Sequence, residues 1–403
     1  MTANRSANPS LIYTQPAFAQ MIEHLWATKV VALDTESDSL FSYYPKVCLI
    51  QISTFALAEE NARAEASDEV VEPDATAVVD YLVDPLRFTE LEPLGKLLAD
   101  PSCSVVIHAA ENDIYLLQRE FDFTVNNLFD TQLAARILGW PHAGLAAILE
   151  EQFGVVSNKR MQRTNWGKRP LTPEQIAYAQ MDTHYLLALR QRQIQELHQR
   201  DRWEEAQEAF EQLTGTDFRA RVASERSIWQ MKEARAVPHA LTGVLESLWL
   251  WREQEAQKQD RPPFKIVNNQ VLVDLAHKQP VSLTQLHDLR ALNASEIQRY
   301  GAAMLHAIAE GKKRPLPSLP ESTRRMEQWL DKATMDRYDA LRHWRSRTAA
   351  ARGVAPEIVL NNEVLLEIAK RQPRTLEELR EIEAIGAWKA KTYGTDLLRL
   401  VRR

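Results

Sequence analysis

Apolar residues gather in four short, β-branched runs in the first 108 residues of the chain: Val30–Leu33, Val47–Ser53, Val78–Val83 and Val105–His108. Continuous apolar runs of that length read as buried strands. Between and after them, apolar positions recur at helical spacing over Pro16–Thr28, Phe88–Ala99 and Ala143–Phe153. Asp100-Pro101 closes the second of these, because a residue before proline is pushed out of the helical region. Asp130 is a predicted N-cap, and Thr172-Pro173-Glu174 predicts a helix start with a threonine cap and proline in the first turn. The first part of the chain therefore alternates strands and helices, which predicts an α/β domain with a mixed sheet flanked by helices. After about residue 215 the strand-like runs stop and the chain reads as helical.

The helical part repeats itself. A shift of 93 residues, without gaps, lays Trp251-Arg252 on Trp344-Arg345, Asn268-Asn269 on Asn361-Asn362 and Lys278-Gln279-Pro280 on Arg371-Gln372-Pro373. The same shift lays Leu283, Leu286, Tyr300 and Gly301 on Leu376, Leu379, Tyr393 and Gly394. Agreement at apolar and turn positions together predicts two copies of one small all-α domain. A basic, proline-rich linker from Gly311 to Pro320 joins them. The expected domains are 1–215, 238–313 and 325–403.

Composition adds bounds. With 403 residues, 45% hydrophobic and 26% charged, the chain is an ordinary globular protein. It has no apolar run long enough to span a membrane. Its first residues lack the apolar core of a signal peptide, so a cytoplasmic location is expected. Cys48 and Cys103 are too few for a disulfide framework and read as buried thiols. The net charge of −6 hides an uneven distribution: residues 1–237 hold 22 Lys/Arg against 34 Asp/Glu, and residues 314–403 hold 18 against 13. A polyanionic partner is therefore not excluded. The acidic stretch at about 56–77 reads as a solvated insertion between two strands.

The candidate chemistry begins where Val30–Leu33 runs into Asp34-Thr35-Glu36. Residues i and i+2 of a strand project to the same side, and two carboxylates held that close favour a cation between them. Asp113 is expected near a helix start just past a strand end, and Tyr178 and Asp182, four apart, share a helix face. Each has an ordinary reading alone: an acidic strand end, a carboxylate favoured by a helix dipole, a packing tyrosine. Together they offer the oxygen ligands that two divalent cations, Mg²⁺ or Mn²⁺, require. Two such ions about 4 Å apart can clamp the attacking and leaving oxygens of a phosphoryl transfer, and a phenol can orient the attacking water. The stretch Lys159, Arg160, Arg163, Trp166, Lys168 and Arg169 combines charge with an aromatic, as a single-strand track does. A solvated loop is its alternative. His108 and His184 flank the carboxylates and read as structural.

The set Asp34-x-Glu36, Asp113 and Tyr178-x-x-x-Asp182 resembles the three motifs of the tyrosine-bearing DEDD exonucleases. With Trp166-x-x-Arg169-Pro170-Leu171 ahead of the third motif, and two helical units similar to HRDC domains, the chain resembles the ribonuclease D family. That resemblance implies a ribonuclease H-like exonuclease domain followed by two HRDC-like domains. It also implies 3′→5′ removal of 5′-mononucleotides from single-stranded RNA ends, tRNA precursors above all, by a monomer needing no protein partner. Asp34 would bridge both ions, Glu36 and Asp182 complete the first site, Asp113 hold the second, and Tyr178 position water. Leu40 matches a residue that wedges against the terminal base in related exonucleases, and is otherwise core. Lys159, Arg160, Trp166 and Arg169 would contact substrate.

Three features depart from the family pattern: the acidic insertion, Asn165 where an acidic residue is frequent, and Asn293 in the place of Gly386. Two rivals stay open, a DNA-directed 3′→5′ exonuclease of repair type and a non-catalytic RNA-binding scaffold.

Overall fold

The computed structural model describes residues 8–57, 78–157, 160–218, 227–318 and 331–402. The acidic stretch, apart from Ala56 and Leu57, and Lys159 lie outside them. The chain forms two compact units, one of Met1–Ser37, Val47–Arg219 and Asp331–Arg403, the other of Asp38–Lys46 and Ala220–Leu330.

The first unit is built on a six-stranded mixed sheet in the order β1-β4-β3-β2-β5-β6. Its strands are β1 (Ser10–Ile12), β2 (Val30–Ser37), β3 (Val47–Phe55), β4 (Val78–Val83), β5 (Ser104–Ile107) and β6 (Leu128–Asp130). β3 runs antiparallel to both β2 and β4, while β2, β5 and β6 run parallel to one another. The three-residue strands β1 and β6 escaped the sequence pattern, since three residues carry no periodicity.

Strand alternation divides the core in two. Val31 and Leu33 of β2, with Val105 and Ile107 of β5, face α1 (Gln15–Thr28), α2 (Glu92–Ala99) and α3 (Glu111–Phe121). Ala32 and Val106 face the opposite layer, α4 (Thr131–Leu138), α5 (Leu145–Phe153), α7 (Leu186–Gln199) and α8 (Trp203–Thr214). Both faces of the central strands are thus covered, which explains their continuous apolar runs. Between α5 and α7 lies α6 (Pro173–His184), opened by Thr172, the cap the sequence predicted, which forms a capping box with Gln175. Asp130 caps α4 through Gln132 N (2.8 Å) and Leu133 N (3.0 Å).

The helical repeat is also a structural one. In the second unit, α9 (Thr242–Gln259), α10 (Asn269–Lys278), α11 (Leu283–Asp288) and α12 (Ala294–Gly311) share one core. In the first unit, α13 (Lys332–Arg352), α14 (Pro356–Val359), α15 (Asn362–Arg371), α16 (Leu376–Arg380) and α17 (Ala387–Val401) share another. The buried Arg252 donates to Val267 O at 3.1 Å, and its counterpart Arg345 donates to Leu360 O at 2.8 Å. Trp251 meets Tyr300 edge-on at 5.7 Å, and Trp344 meets Tyr393 at 5.4 Å. Gly301 and Gly394 are required by close approach, because a Cβ at either would lie 2.7 or 2.3 Å from Leu283 or Leu376.

The copies differ at the place the sequence flagged. Asn293 caps α12 in a box with Glu296. Gly386 has no side chain to cap α17, and Glu208 of α8 does so instead, accepting from Trp388 N (2.6 Å) and Lys389 N (3.3 Å). A Cβ on residue 386 would fall 2.2 Å from the Glu208 carboxylate. Beside this contact, Glu205 pairs with Arg352.

Candidate active site

The site grows from the end of β2. Alternation that puts Ala32 against the α7 layer carries Asp34 and Glu36 to the same side, where α6 also packs. Asp34, Glu36 and Asp182 can each offer a carboxylate oxygen within 4.8 Å of the others. Asp113 arrives from the opposite layer, in the first turn of α3. It reaches the site through Thr35, the strand residue that points its way: Asp113 Oδ1 accepts Thr35 N–H at 2.9 Å and the Thr35 hydroxyl at 2.5 Å.

The turn that delivers Asp113 is itself held. Ala109 adopts a left-handed conformation (φ 60°) that costs an L-residue about 1–2 kcal/mol. Asp130 accepts from Ala109 N (3.1 Å) and Ala110 N (2.9 Å), bracing this turn while capping α4.

Tyr178 lies one helical turn before Asp182 and is buried. Its hydroxyl donates to Asp182 and accepts from Gln162. The opposite side of α6 is tied down by Asp80, which accepts from Ser53 Oγ (2.6 Å) and Gln180 Nε2 (2.7 Å) and contacts His184 Nδ1 (2.8 Å). His184 is thus structural. His108 bonds Thr131 at 2.9 Å, and burial holds its pKa down to about 4, so it is neutral.

Electrostatics single this cluster out. Burial pushes Asp34 well above the usual carboxylate range, and the charges of Asp113, Asp182 and Glu36 push the same way. Burial and the charges of Asp182 and Asp113 raise Glu36 to about 9. Burial raises Asp182 and Asp113 to about 7, outweighing the hydrogen bonds from Tyr178 and Thr35. Among the described residues, none of the four pairs with a lysine or arginine. Four crowded, partly desolvated carboxylates without a cationic partner are an unbalanced arrangement that divalent cations would balance.

The structure corrects two of the expected substrate contacts. Trp166 is only 1% exposed and packs 6.1 Å from the Tyr178 ring, so its face is not free to stack on a base. Arg169 grips the buried Asp84 through two bonds of 2.6 and 2.9 Å, and also donates to Trp166 O and Cys48 O at 2.6 Å. Both residues fix the loop before α6 rather than face solvent. Arg160, Arg163 and Lys168 remain exposed on that loop, and Leu40 is 38% exposed, not core. Thr35, Gln162 and Asp80 support the site without having been legible beforehand, and Asp130 was legible only as a helix cap, although the hydroxyl between two acidic strand residues was a usable hint for Thr35.

Residues 9–197 match the 3′–5′ exonuclease family, and residues 242–308 and 335–401 match the HRDC domain. Fold and site together define a 3′–5′ exonuclease carrying two HRDC domains. Ribonuclease D of Escherichia coli is 30% identical over 317 residues, covering 78% of each chain. Ribonuclease D of Gluconacetobacter diazotrophicus is 26% identical over 98% of this chain and 93% of its own. The chain belongs to the ribonuclease D family and is a 3′–5′ exoribonuclease. The crystal structure of E. coli RNase D shares the fold (TM-score 0.70, 24% identity, 98% of this chain and 99% of that one). The catalytic core of RRP6 from Trypanosoma brucei shares it over 77% of this chain and 81% of its own (TM-score 0.61, 21% identity).

Proposed function

We propose that this protein hydrolyses the 3′-terminal phosphodiester of single-stranded RNA tails, releasing 5′-mononucleotides with the help of two divalent cations. The observation that carries the reading is the convergence of Asp34, Glu36 and Asp182 within 4.8 Å, with Asp113 delivered by Thr35. Asp34, Glu36 and Asp182 fit one cation and Asp34 with Asp113 a second, both Mg²⁺ or Mn²⁺ by their all-oxygen donors. Bound cations would neutralise the scissile phosphate and acidify the attacking water.

The residues of the chain supply position. Burial pushes the Tyr178 phenol far above its usual range, so it keeps its proton. A phenol that donates to Asp182 still has a lone pair for the attacking water. Tyr178 therefore orients this water and does not deprotonate it. Thr35 pins one carboxylate oxygen of Asp113 with two donors, beside the strand that carries Asp34 and Glu36.

The substrate reading is 3′-extended RNA, tRNA precursors above all, taken up by a monomeric, cytoplasmic enzyme. Its support is the family resemblance together with exposed Arg160, Arg163 and Lys168 beside the motif that carries Tyr178. The test is digestion of a 5′-labelled tRNA precursor with a single-stranded 3′ tail, beside its DNA counterpart, with and without Mg²⁺. Mg²⁺-dependent shortening of the RNA from its 3′ end, with mononucleotide products, is expected. Preferential loss of the DNA, or internal cuts, would contradict the reading.

A further inference from the structure

The connection between β2 and β3, Asp38–Lys46, leaves the sheet two residues after Glu36 and re-enters at Val47, which pairs with Ser37. It belongs to the second unit, and the first helical repeat grips it. Asp260 Oδ1 accepts both Tyr43 N–H (3.0 Å) and Tyr44 N–H (3.2 Å). The Tyr43 hydroxyl donates to Glu253 at 3.3 Å, Gln257 donates to the Tyr44 hydroxyl, and Lys265 Nζ sits 4.1 Å from the Phe41 ring centroid. Within the loop, Asp38 closes the neck, accepting from Lys46 N at 2.7 Å and from Ser42 Oγ at 2.7 Å.

The second repeat is a built-in control. The shift that superposes the shared tryptophan, arginine, asparagine and tyrosine lays Glu253, Gln257, Asp260 and Lys265 on Ser346, Ala350, Gly353 and Ile358. The framework is kept and all four loop-gripping side chains are replaced. Asp260 is the most telling. It ends α9 in a left-handed conformation (φ 45°), where the second copy has Gly353 (φ 64°), the residue that such a cap favours. An aspartate there accepts backbone strain and gains a carboxylate that holds two loop amides.

We infer that Asp260, with Glu253, Gln257 and Lys265, is a positioning element for the exonuclease reaction: the first helical repeat fixes the loop that follows Glu36 and carries the exposed Leu40. The repeat thereby acts on the geometry at the 3′ end as well as on any RNA held elsewhere. This rests on the exonuclease reading above.

The test compares wild type, Asp260→Gly and Asp260→Asn on a trinucleotide and on a long-tailed RNA. Glycine suits the left-handed cap, so the melting temperature of Asp260→Gly should not fall. Its kcat/KM on the trinucleotide should drop about tenfold, chiefly in kcat, as for small misplacements near a reacting group. Asp260→Asn keeps the acceptor and should recover most of the rate. Gln257→Ala should lie between. Unchanged trinucleotide kinetics in Asp260→Gly, with loss confined to long RNA, would overturn the inference in favour of RNA holding alone. Equal loss in Gly and Asn variants would overturn it too. An inactive wild type would instead defeat the exonuclease reading, so the two failures are distinguishable.

Discussion

Asp113 Oδ1 receives two hydrogen bonds from one residue, the backbone N–H of Thr35 at 2.9 Å and its hydroxyl at 2.5 Å. Thr35 stands between Asp34 and Glu36 but points to the other face of the sheet. One strand thus presents two carboxylates forward and positions a third from behind. Replacing Thr35 with valine keeps shape and the backbone donor but deletes the hydroxyl. Loss of a partner that orients a ligand typically costs about 10–100-fold in metal affinity or activity. A higher Mn²⁺ requirement for half-maximal activity, with RNA binding retained, is expected; an unchanged Mn²⁺ titration would argue that the backbone bond suffices.

Tyr178→Phe removes the donor to Asp182 and the lone pair offered to water, while the ring still packs on Trp166. Turnover should fall by about 10²-fold or more, with RNA affinity little changed. A matching loss of RNA affinity, read by filter binding, would recast Tyr178 as a packing residue.

Cation binding should be linked to pH in a definite direction. Without cations, burial, helped by neighbouring carboxylate charges, holds Glu36 at about 9 and Asp113 and Asp182 at about 7, all above their unfolded values. Raised carboxyl pKa values mean that the fold keeps protons the unfolded chain releases. Their contribution to stability is full below about pH 4 and is lost as pH rises through 7 to 9. Bound cations would replace those protons. The rise in melting temperature on adding Mg²⁺ should therefore grow between pH 6 and pH 9, and a shift that shrinks over this range would contradict the assignment.

Arginines of the loop before α6 should separate into two classes. Arg169→Ala leaves the fully buried Asp84 with, among the described residues, only the distant, largely exposed Arg87 at 3.8 Å as a cationic partner, and breaking a buried pair typically costs about 3–5 kcal/mol, visible as a lowered melting temperature. Arg163→Ala, on the exposed side, should leave melting unchanged and weaken RNA binding with a reduced salt dependence. The reverse pattern would return Arg169 to the RNA track.

Most of the candidate site was legible because its carboxylates and tyrosine announce themselves locally. Strand period places Asp34 beside Glu36, and helix period places Tyr178 over Asp182. What stayed hidden depends on tertiary partners. Thr35 and Asp113 are 78 residues apart, and Arg169 and Asp84 are 85 apart. A basic loop with a tryptophan looks the same in sequence whether its arginine meets a phosphate or a buried aspartate. The repeat was readable because two copies in one chain report each other's framework. The difference between Asn293 and Gly386 was visible as well, but not its cause, since the cap of the second copy comes from Glu208.

The most direct test of the two-cation account is single-turnover digestion of a 3′-tailed RNA by wild type and Asp34→Asn in Mg²⁺. Asparagine is nearly isosteric and neutral, so folding and RNA binding should persist. Asp34 is the carboxylate assigned to both cations, so cleavage by the variant should be lost almost entirely. Cleavage at the wild-type rate would contradict the account.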